Sequence, residues 1–431
     1  MKKITNRAIS VLLIAALVIV GVLAYVIRYV DDGEDWALYF SRLNTTATGQ
    51  IVDRNGLVLA AFSPTENSFA ADRATRIANY HVTGDYWGRS GTGVLSAFWR
   101  NMRSFNHIYG TTKSNTGSLE LSIDARLNNA AYNNLIGQKG AILICNYKTG
   151  EMLCMVSAPS VDPADPDAEP EDGAFLNRGL SAAFVPGSIF KLITAAAAIE
   201  NLDGIQNRVF YCEGVAEFAG VEVTCPFEHY SQTFEQALAN SCNVAFSRMA
   251  VQMGQDTMVK YVTDYGFLEP HELNGIPTAA GSYPTEFVGD PELGWSGIGQ
   301  STDLICPFSM LRYVCAIAND GILVEPTLLL NDEENKSIRL MEASTAETLA
   351  EMMSFNVAYS YGGSESFPGL ALCAKTGTAE IGDGTSHAWF TGFLDDEEHP
   401  YAFVFLVERG GGGLTVAGRI AYNVLHTAVR N

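Results

Sequence analysis

Basic residues are scarce in this chain: 27 lysines and arginines stand against 48 aspartates and glutamates over 431 residues, a formal net charge of −21. That deficit excludes nucleic acid as a partner, because no basic surface is available to neutralise phosphates. Charged residues make up only 17% of the sequence against 47% hydrophobic, which excludes a disordered chain and allows two or three domains with a large core. The eight cysteines include no Cys-x-x-Cys and form no Cys/His cluster along the sequence, and the seven histidines are equally dispersed. Neither a structural zinc site nor any other metal or cofactor is therefore expected. Cys145, Cys154, Cys306, Cys315 and Cys373 lie in apolar runs and read as small core residues. Cys212 and Cys225 bracket a Gly/Val/Glu segment with hairpin character, and they are the one pair expected to bridge.

The N-terminus shows the opposite balance. Residues 1–7 are basic, and Ala8 to Ile27 then run apolar with only Ser10 interrupting, about the thickness of a bilayer core at a helical rise of about 1.5 Å per residue. A cleaved signal peptide would have a shorter apolar stretch, about 7–15 residues, and a small-x-small site after it, so a retained anchor is expected. Lys2, Lys3 and Arg7 precede the span, while Asp31, Asp32, Glu34 and Asp35 follow soon after Arg28. The positive-inside rule then puts the N-terminus in the cytoplasm and everything after residue 30 outside.

Three divisions follow: an anchor at 1–30, a small mixed module at 31–117, and a larger domain at 118–431. The module has a turn at Asp53-Arg54-Asn55-Gly56 between short runs at Gln50–Val52 and Leu57–Phe62, glycine-rich turns around Gly84 and Gly88–Gly93, and a helix-like stretch at Leu95–Met102. Nothing in it suggests chemistry. In the larger domain Asp124 can cap a helix that Gly137 ends, and Ala141–Asn146 and Glu151–Ser157 read as strands joined by Tyr147-Lys148-Thr149-Gly150. A solvated Pro/Asp-rich loop at Pro159–Glu171 leads to a helix from Ser188 to about Asn201. Beyond the cysteine-bracketed hairpin come a helix from Thr233, another through Met253, and a third at Pro307–Asn319. Leu370–Glu380, His387–Leu394 and Tyr401–Val407 are candidate strands, and Val416–Val429 a closing helix. Two strands, a block of helices, three strands and a helix describe an α+β domain in which a helical insertion splits an antiparallel sheet.

The helix at Ser188 is apolar all round after its first turn, the mark of burial on every side. Ser188 and Lys191 stand three apart on one face of it, within mutual reach. Burial disfavours a charged amine, so Lys191 can serve as the base that draws the proton from Ser188. Ser241-Cys242-Asn243 falls in a break between helices, where a hydroxyl and an amide can point into a shared cleft. Lys375-Thr376-Gly377-Thr378 lies on a strand, with Thr376 and Thr378 on one face and Gly377 open to close approach by a substrate backbone. Each piece has an ordinary alternative: a capping serine with a solvent-facing lysine, helix caps at Ser241 and Asn243, an edge-strand charge and a bulge. The three together, in this order, are hard to produce by chance.

Here the chain resembles the penicillin-recognising serine acyltransferases, and most closely the membrane-anchored class B penicillin-binding proteins. The phrases that carry the resemblance are VDRNGLVLA at Val52–Ala60, KTGEMLCMVSAPS at Lys148–Ser160, FVPGSIFK ending at Lys191, SCNVAF at Ser241–Phe246, GIGQ at Gly297–Gln300, AKTGTAE at Ala374–Glu380 and HAWFTGF at His387–Phe393. The resemblance implies that Ser188 is acylated by the penultimate D-alanine of a peptidoglycan stem peptide, or by a β-lactam, with Lys191 as general base. It further implies that Ser241 relays the proton to the leaving D-alanine and that Asn243 holds the substrate amide. Lys375 would supply positive charge, Thr376 and Thr378 would bind the terminal carboxylate beside Gly377, and the backbone N–H groups of Ser188 and Thr378 would form an oxyanion hole. D,D-transpeptidase or carboxypeptidase activity is thus expected, with a lipid-linked-glycan polymerase as an implied membrane partner.

Some positions depart from the family pattern: Ile189 and Cys306 replace common threonines, Gly49-Gln50 replaces Arg-Gly, and the N-terminal module is short. A serine β-lactamase or β-lactam-sensing receptor would share the motifs, but neither a deacylating glutamate loop nor a cytoplasmic domain is identifiable. A non-catalytic scaffold would be expected to lose Ser188, Lys191 or Lys375. The sequence does not distinguish elongation, division and sporulation roles.

Overall fold

The computed structural model describes residues 2–41, 49–62, 67–98, 105–106, 110–111, 117–167 and 169–430. They group into two compact units, one of residues 1–50, 61–68 and 98–118 and the other of 51–60, 69–97 and 119–431. In the first, helix α1 (Lys2–Ser41) includes a stretch, Ile4–Arg28, that is apolar and long enough to cross a membrane. Its large apolar side chains are exposed, as a surface meant for lipid rather than for a protein core would be.

In the second unit the turn expected at Asp53 forms as an Asx turn. The Asp53 carboxylate accepts from the backbone N–H groups of Asn55 and Leu57 at 2.9 and 2.8 Å, between extended residues 51–52 and 58–60. Of the helix expected over Leu95–Met102, a single turn at Val94–Ala97 forms, and residues 99–102 lie outside the described residues.

The larger part of this unit is a five-stranded antiparallel sheet. Asp124 caps α2 (Ala125–Asn134) by accepting from the N–H groups of Arg126 and Leu127, and β1 (Gly140–Asn146) and β2 (Met152–Ala158) follow. The inserted segment then supplies α3 (Lys191–Asn201), α4 (Phe234–Ala239), α5 (Asn243–Met253), α6 (Pro307–Ala318) and α7 (Ala343–Ser360). The chain returns to the sheet as β3 (Leu372–Glu380), β4 (Ser386–Leu394) and β5 (Tyr401–Val407), and ends in α8 (Arg419–Ala428). The strand order β3-β4-β5-β1-β2 is the split sheet anticipated above, with β3 at its free edge.

Helices cover both faces of the sheet, which is why β1 and β2 read as continuous apolar runs rather than alternating ones. Ile142, Ile144, Phe390, Phe403 and Phe405 pack under Leu127 and Ala131 of α2 and Val424 and Leu425 of α8. α6 packs against the sheet, with Cys315 reaching Cys145. The five cysteines assigned to the core are all buried. One expectation needs correcting: the Pro159–Glu171 loop is not wholly solvated, because Asp162 is buried under a two-pronged ion pair from Arg76, both contacts 2.8 Å.

Candidate active site

Ser188 sits in a single 3₁₀ turn, Gly187–Phe190, that runs directly into α3. The turn lies against β3. A Cβ on Gly187, whose φ is 55°, would come within 2.9 Å of the Ala379 Cα, so glycine is required here both for backbone angle and for space. Trp389 on β4 donates its indole N–H to the Val185 carbonyl at 2.9 Å and holds the chain leading into the turn. Lys191, the first residue of α3, is completely buried along with the seven that follow it, as its apolar surroundings in sequence implied.

The Lys191 amine reaches three oxygens: Ser188 Oγ at 2.7 Å, Asn243 Oδ1 at 2.8 Å and Ser241 Oγ at 3.3 Å. Loss of hydration lowers its pKa to about 8. Asn243 Oδ1 can only accept, so the amine must donate there, whereas the Ser188 hydroxyl can act in either direction. A neutral Lys191 can therefore receive the Ser188 proton without losing its anchor on Asn243. Asn243 is anchored in turn, its amide donating to the Thr224 carbonyl at 2.8 Å.

Ser241 adopts a left-handed backbone, φ 52°, in the break between α4 and α5 where the sequence suggested it would face a cleft. Lys375, also completely buried, approaches the same hydroxyl at 3.1 Å and donates to the Thr376 carbonyl at 2.9 Å. Burial first, and the charge of Lys191 second, push its pKa well down. Two ammonium groups around one hydroxyl repel, so a charge on either lysine disfavours a charge on the other.

Thr376, Thr378 and Glu380 point from the β3 edge into a cleft of about 490 Å³ whose wall also includes Ser188, Ser241 and Asn243. All eight residues singled out in the sequence thus meet at one place, but Gly377 meets it differently than expected. A Cβ there would be 2.9 Å from the Pro186 carbonyl and 3.1 Å from Ile189 Cγ2. The space over Gly377 is taken by the Ser188 turn, with Ile189, the departure from threonine, packed on it.

Tyr361 at the end of α7 was not foreseen: its hydroxyl accepts from the Thr376 N–H at 3.1 Å and from Thr376 Oγ1 at 3.2 Å, holding the strand edge. Trp295 and Phe227 on the cleft wall were also missed, since lone aromatics outside any motif carry no signal in one sequence. The bridge expected between Cys212 and Cys225 is absent; both are free thiols. They instead converge with Cys242 and His229, donor atoms all within 4.8 Å of one another, so the lack of a Cys/His cluster along the sequence does not hold in the fold.

A family model for the penicillin-binding protein transpeptidase domain matches residues 140–426. The chain belongs to this family. Among curated transpeptidase-family relatives, it is 28% identical over 320 residues to the peptidoglycan D,D-transpeptidase PbpA of Mycolicibacterium smegmatis, covering 65% of this chain and 64% of that one. It is 30% identical over 336 residues to penicillin-binding protein 3 of Bacillus subtilis, covering 69% and 49%. The chain spans about half to just under two thirds of the length of these curated relatives. Its fold is similar to the D,D-transpeptidase domain of a peptidoglycan glycosyltransferase from Eggerthella lenta, with 26% identity, a TM-score of 0.75, and coverage of 90% of this chain and 99% of that one. It is also similar to penicillin-binding protein A of M. tuberculosis in a ceftriaxone acyl-enzyme complex, at 22% identity, TM-score 0.73 and coverage of 89% and 99%, a likeness of fold alone. The expected penicillin-binding family and α+β fold are thus both found.

Proposed function

We propose that this chain is a peptidoglycan D,D-transpeptidase whose residues 118–431 form a serine acyl-enzyme with stem peptides and, when inhibited, with β-lactams. The observation that carries the reading is a buried amine 2.7 Å from a cleft-facing hydroxyl, shared with a second serine that a second buried lysine also touches. In this reading neutral Lys191 takes the Ser188 proton as Oγ attacks the carbonyl of the penultimate D-alanine. The oxyanion is met by the backbone N–H groups of Ser188 and Thr378. As the tetrahedral adduct collapses, the proton passes from Lys191 through Ser241 Oγ to the departing D-alanine nitrogen, leaving an ester on Ser188. An acceptor amine then attacks the ester, and the same relay runs in reverse. Asn243 holds the substrate amide. Thr376 and Thr378, with the charge on Lys375, bind the terminal carboxylate.

The same reading places the catalytic unit outside the cell. Its basis is the basic residues Lys2, Lys3 and Arg7 before the apolar span and the acidic run from Asp31 after it. Protease added to intact spheroplasts should then digest the bulk of the chain, and a protected full-length protein would reverse the orientation. A membrane-borne glycan polymerase is the implied partner.

Labelling the full chain with a fluorescent penicillin tests the chemistry directly. A long-lived adduct mapped to Ser188 by mass spectrometry, and lost in Ser188→Ala, is expected. Rapid turnover of the adduct would indicate a β-lactamase, and labelling that persists in Ser188→Ala would mean a different nucleophile.

A further inference from the structure

Beside the cleft the chain folds a small β ribbon. Val209–Cys212 pairs with Tyr230–Thr233, and between them Val215–Phe218 pairs with Val221–Thr224. Val209, Tyr211, Val215, Val221, Phe227 and Tyr230 of this ribbon are exposed, so it has little apolar core to hold its shape. What lies at its base instead is a group of ligand atoms. Cys212 ends the first strand, Cys225 follows the third, His229 precedes the fourth, and Cys242 caps α5. Their three sulfurs and one imidazole nitrogen all lie within 4.8 Å of one another, and Cys225 Sγ is 3.6 Å from His229 Nδ1.

We propose that Cys212, Cys225, His229 and Cys242 form a tetrahedral zinc site that fastens the ribbon to the Ser241-Cys242-Asn243 turn. Three thiolates and one imidazole are a donor set of structural zinc, and soft sulfur ligands select it over magnesium or calcium. With Zn–S bonds of about 2.3 Å the sulfurs of a tetrahedron stand about 3.8 Å apart, a spacing these side chains reach with small rotamer changes. Zinc requires the thiols as thiolates, and the surroundings favour that form. The Asn243 backbone N–H points at Cys225 Sγ from 3.4 Å, and the Ala245 N–H points at Cys242 Sγ from 3.4 Å at the N-terminus of an eleven-residue helix. Cys212 Sγ, 3.7 Å from the Phe227 carbonyl, would release that contact and its proton to the solvent on binding. A disulfide would use two of the four donors and leave a thiol and an imidazole facing it without purpose.

The site bears on the cleft because its ligands are the immediate neighbours of groups already described. Cys242 separates Ser241 from Asn243, and Cys225 follows Thr224, whose carbonyl takes the Asn243 amide. Fixing Cys225 and Cys242 on one ion would therefore fix the left-handed Ser241 and the Asn243 side chain that bonds Lys191. These ligands are positioning residues. Their effect on acylation rests on the transpeptidase reading above, whereas metal binding does not.

The test uses the full chain purified in detergent with a reductant and without chelator. Elemental analysis should find one zinc per chain, and cobalt(II) added after zinc removal should give the intense visible bands of tetrahedral thiolate cobalt. Cys225→Ser and His229→Ala should each weaken zinc binding about tenfold or more, while Cys306→Ser, a core cysteine elsewhere, should not. Cobalt spectra of the unsubstituted chain do not depend on the folding of any variant. Absence of stoichiometric metal with no tetrahedral cobalt spectrum, or a Cys212–Cys225 disulfide in the non-reduced mass, would overturn the site. Stripping zinc should slow penicillin acylation at least tenfold without abolishing it; bound zinc whose removal leaves that rate unchanged would overturn the positioning role.

Discussion

At Lys148 the tripeptide Lys-Thr-Gly turns the chain between β1 and β2, whereas at Lys375 the same three residues run along the free edge of the sheet. Gly150 closes the first with φ 79°, and Lys148 is exposed, its amine 2.8 Å from Asn319 Oδ1. In the second, Gly377 has ordinary strand geometry and Lys375 is completely buried with its amine on Ser241. Identical residues thus give a solvated cation in one place and a desolvated one in the other. What separates them is the flanking sequence: Lys148 follows a strand that ends at Asn146, while Lys375 lies inside a run that stays extended through Glu380. The lesson is that what a Lys-Thr-Gly tripeptide can do chemically depends on the backbone conformation that presents it and on the dielectric around it.

Lys375→Ala should show the largest difference between the two copies, slowing penicillin acylation by roughly 10²–10³, the loss expected for removing a preorganised charge or donor from a buried site. A rate within twofold of the parent would mean that the strand copy has no privileged place.

A pH profile sharpens the same contrast between buried and solvated lysines. With its pKa at about 8, Lys191 is a competent base only when neutral, so acylation should rise with pH through about 8 and then level. At pH 6 the rate should be about a hundredfold below the plateau, tenfold for each unit. Lys148→Ala should leave this profile in place. An acylation rate that falls as pH rises from 6 to 8 would rule out Lys191 as the base.

The two glycines offer a paired substitution with opposite readouts. Gly377→Ala puts a methyl against the Pro186 carbonyl and should displace the Ser188 turn, lowering acylation roughly tenfold to a hundredfold. Gly150→Ala strains a left-handed residue and runs into the Glu325 carbonyl, so it should lower stability by about 1–3 kcal/mol, seen as a reduced melting temperature, with little change in the rate per folded molecule. Were the two effects exchanged, the turn and strand assignments would have to be exchanged as well.

Lys148→Ala should have the smallest effect of the series. An exposed lysine held by one neutral hydrogen bond is worth within about 0.5 kcal/mol of stability, and acylation should match the parent. Any slowing beyond twofold would show that the turn copy communicates with the cleft.

Local pattern was enough to read the α+β order of elements, the strand that carries Lys375, the buried helix that carries Lys191 and the apolar span at Ala8–Ile27. Each of these depends on residues a few positions apart, and backbone preference and hydrophobic period are encoded at that range. Even the different settings of the two Lys-Thr-Gly copies, one in a turn and one on a strand, were visible there. The fold alone decided what distant segments bring to one point. Gly377 accommodates the Ser188 turn rather than open space, Tyr361 holds Thr376 from the end of a separate helix, and Asp162 is buried under Arg76. Four ligand atoms spaced Cys-x12-Cys-x3-His-x12-Cys come within 4.8 Å of one another although no familiar metal spacing links them in sequence. Convergence of this kind depends on how the ribbon strands pair and where α5 begins. A sequence read along its own length encodes neighbours in the chain, while meetings of these side chains are set only once the whole unit has packed.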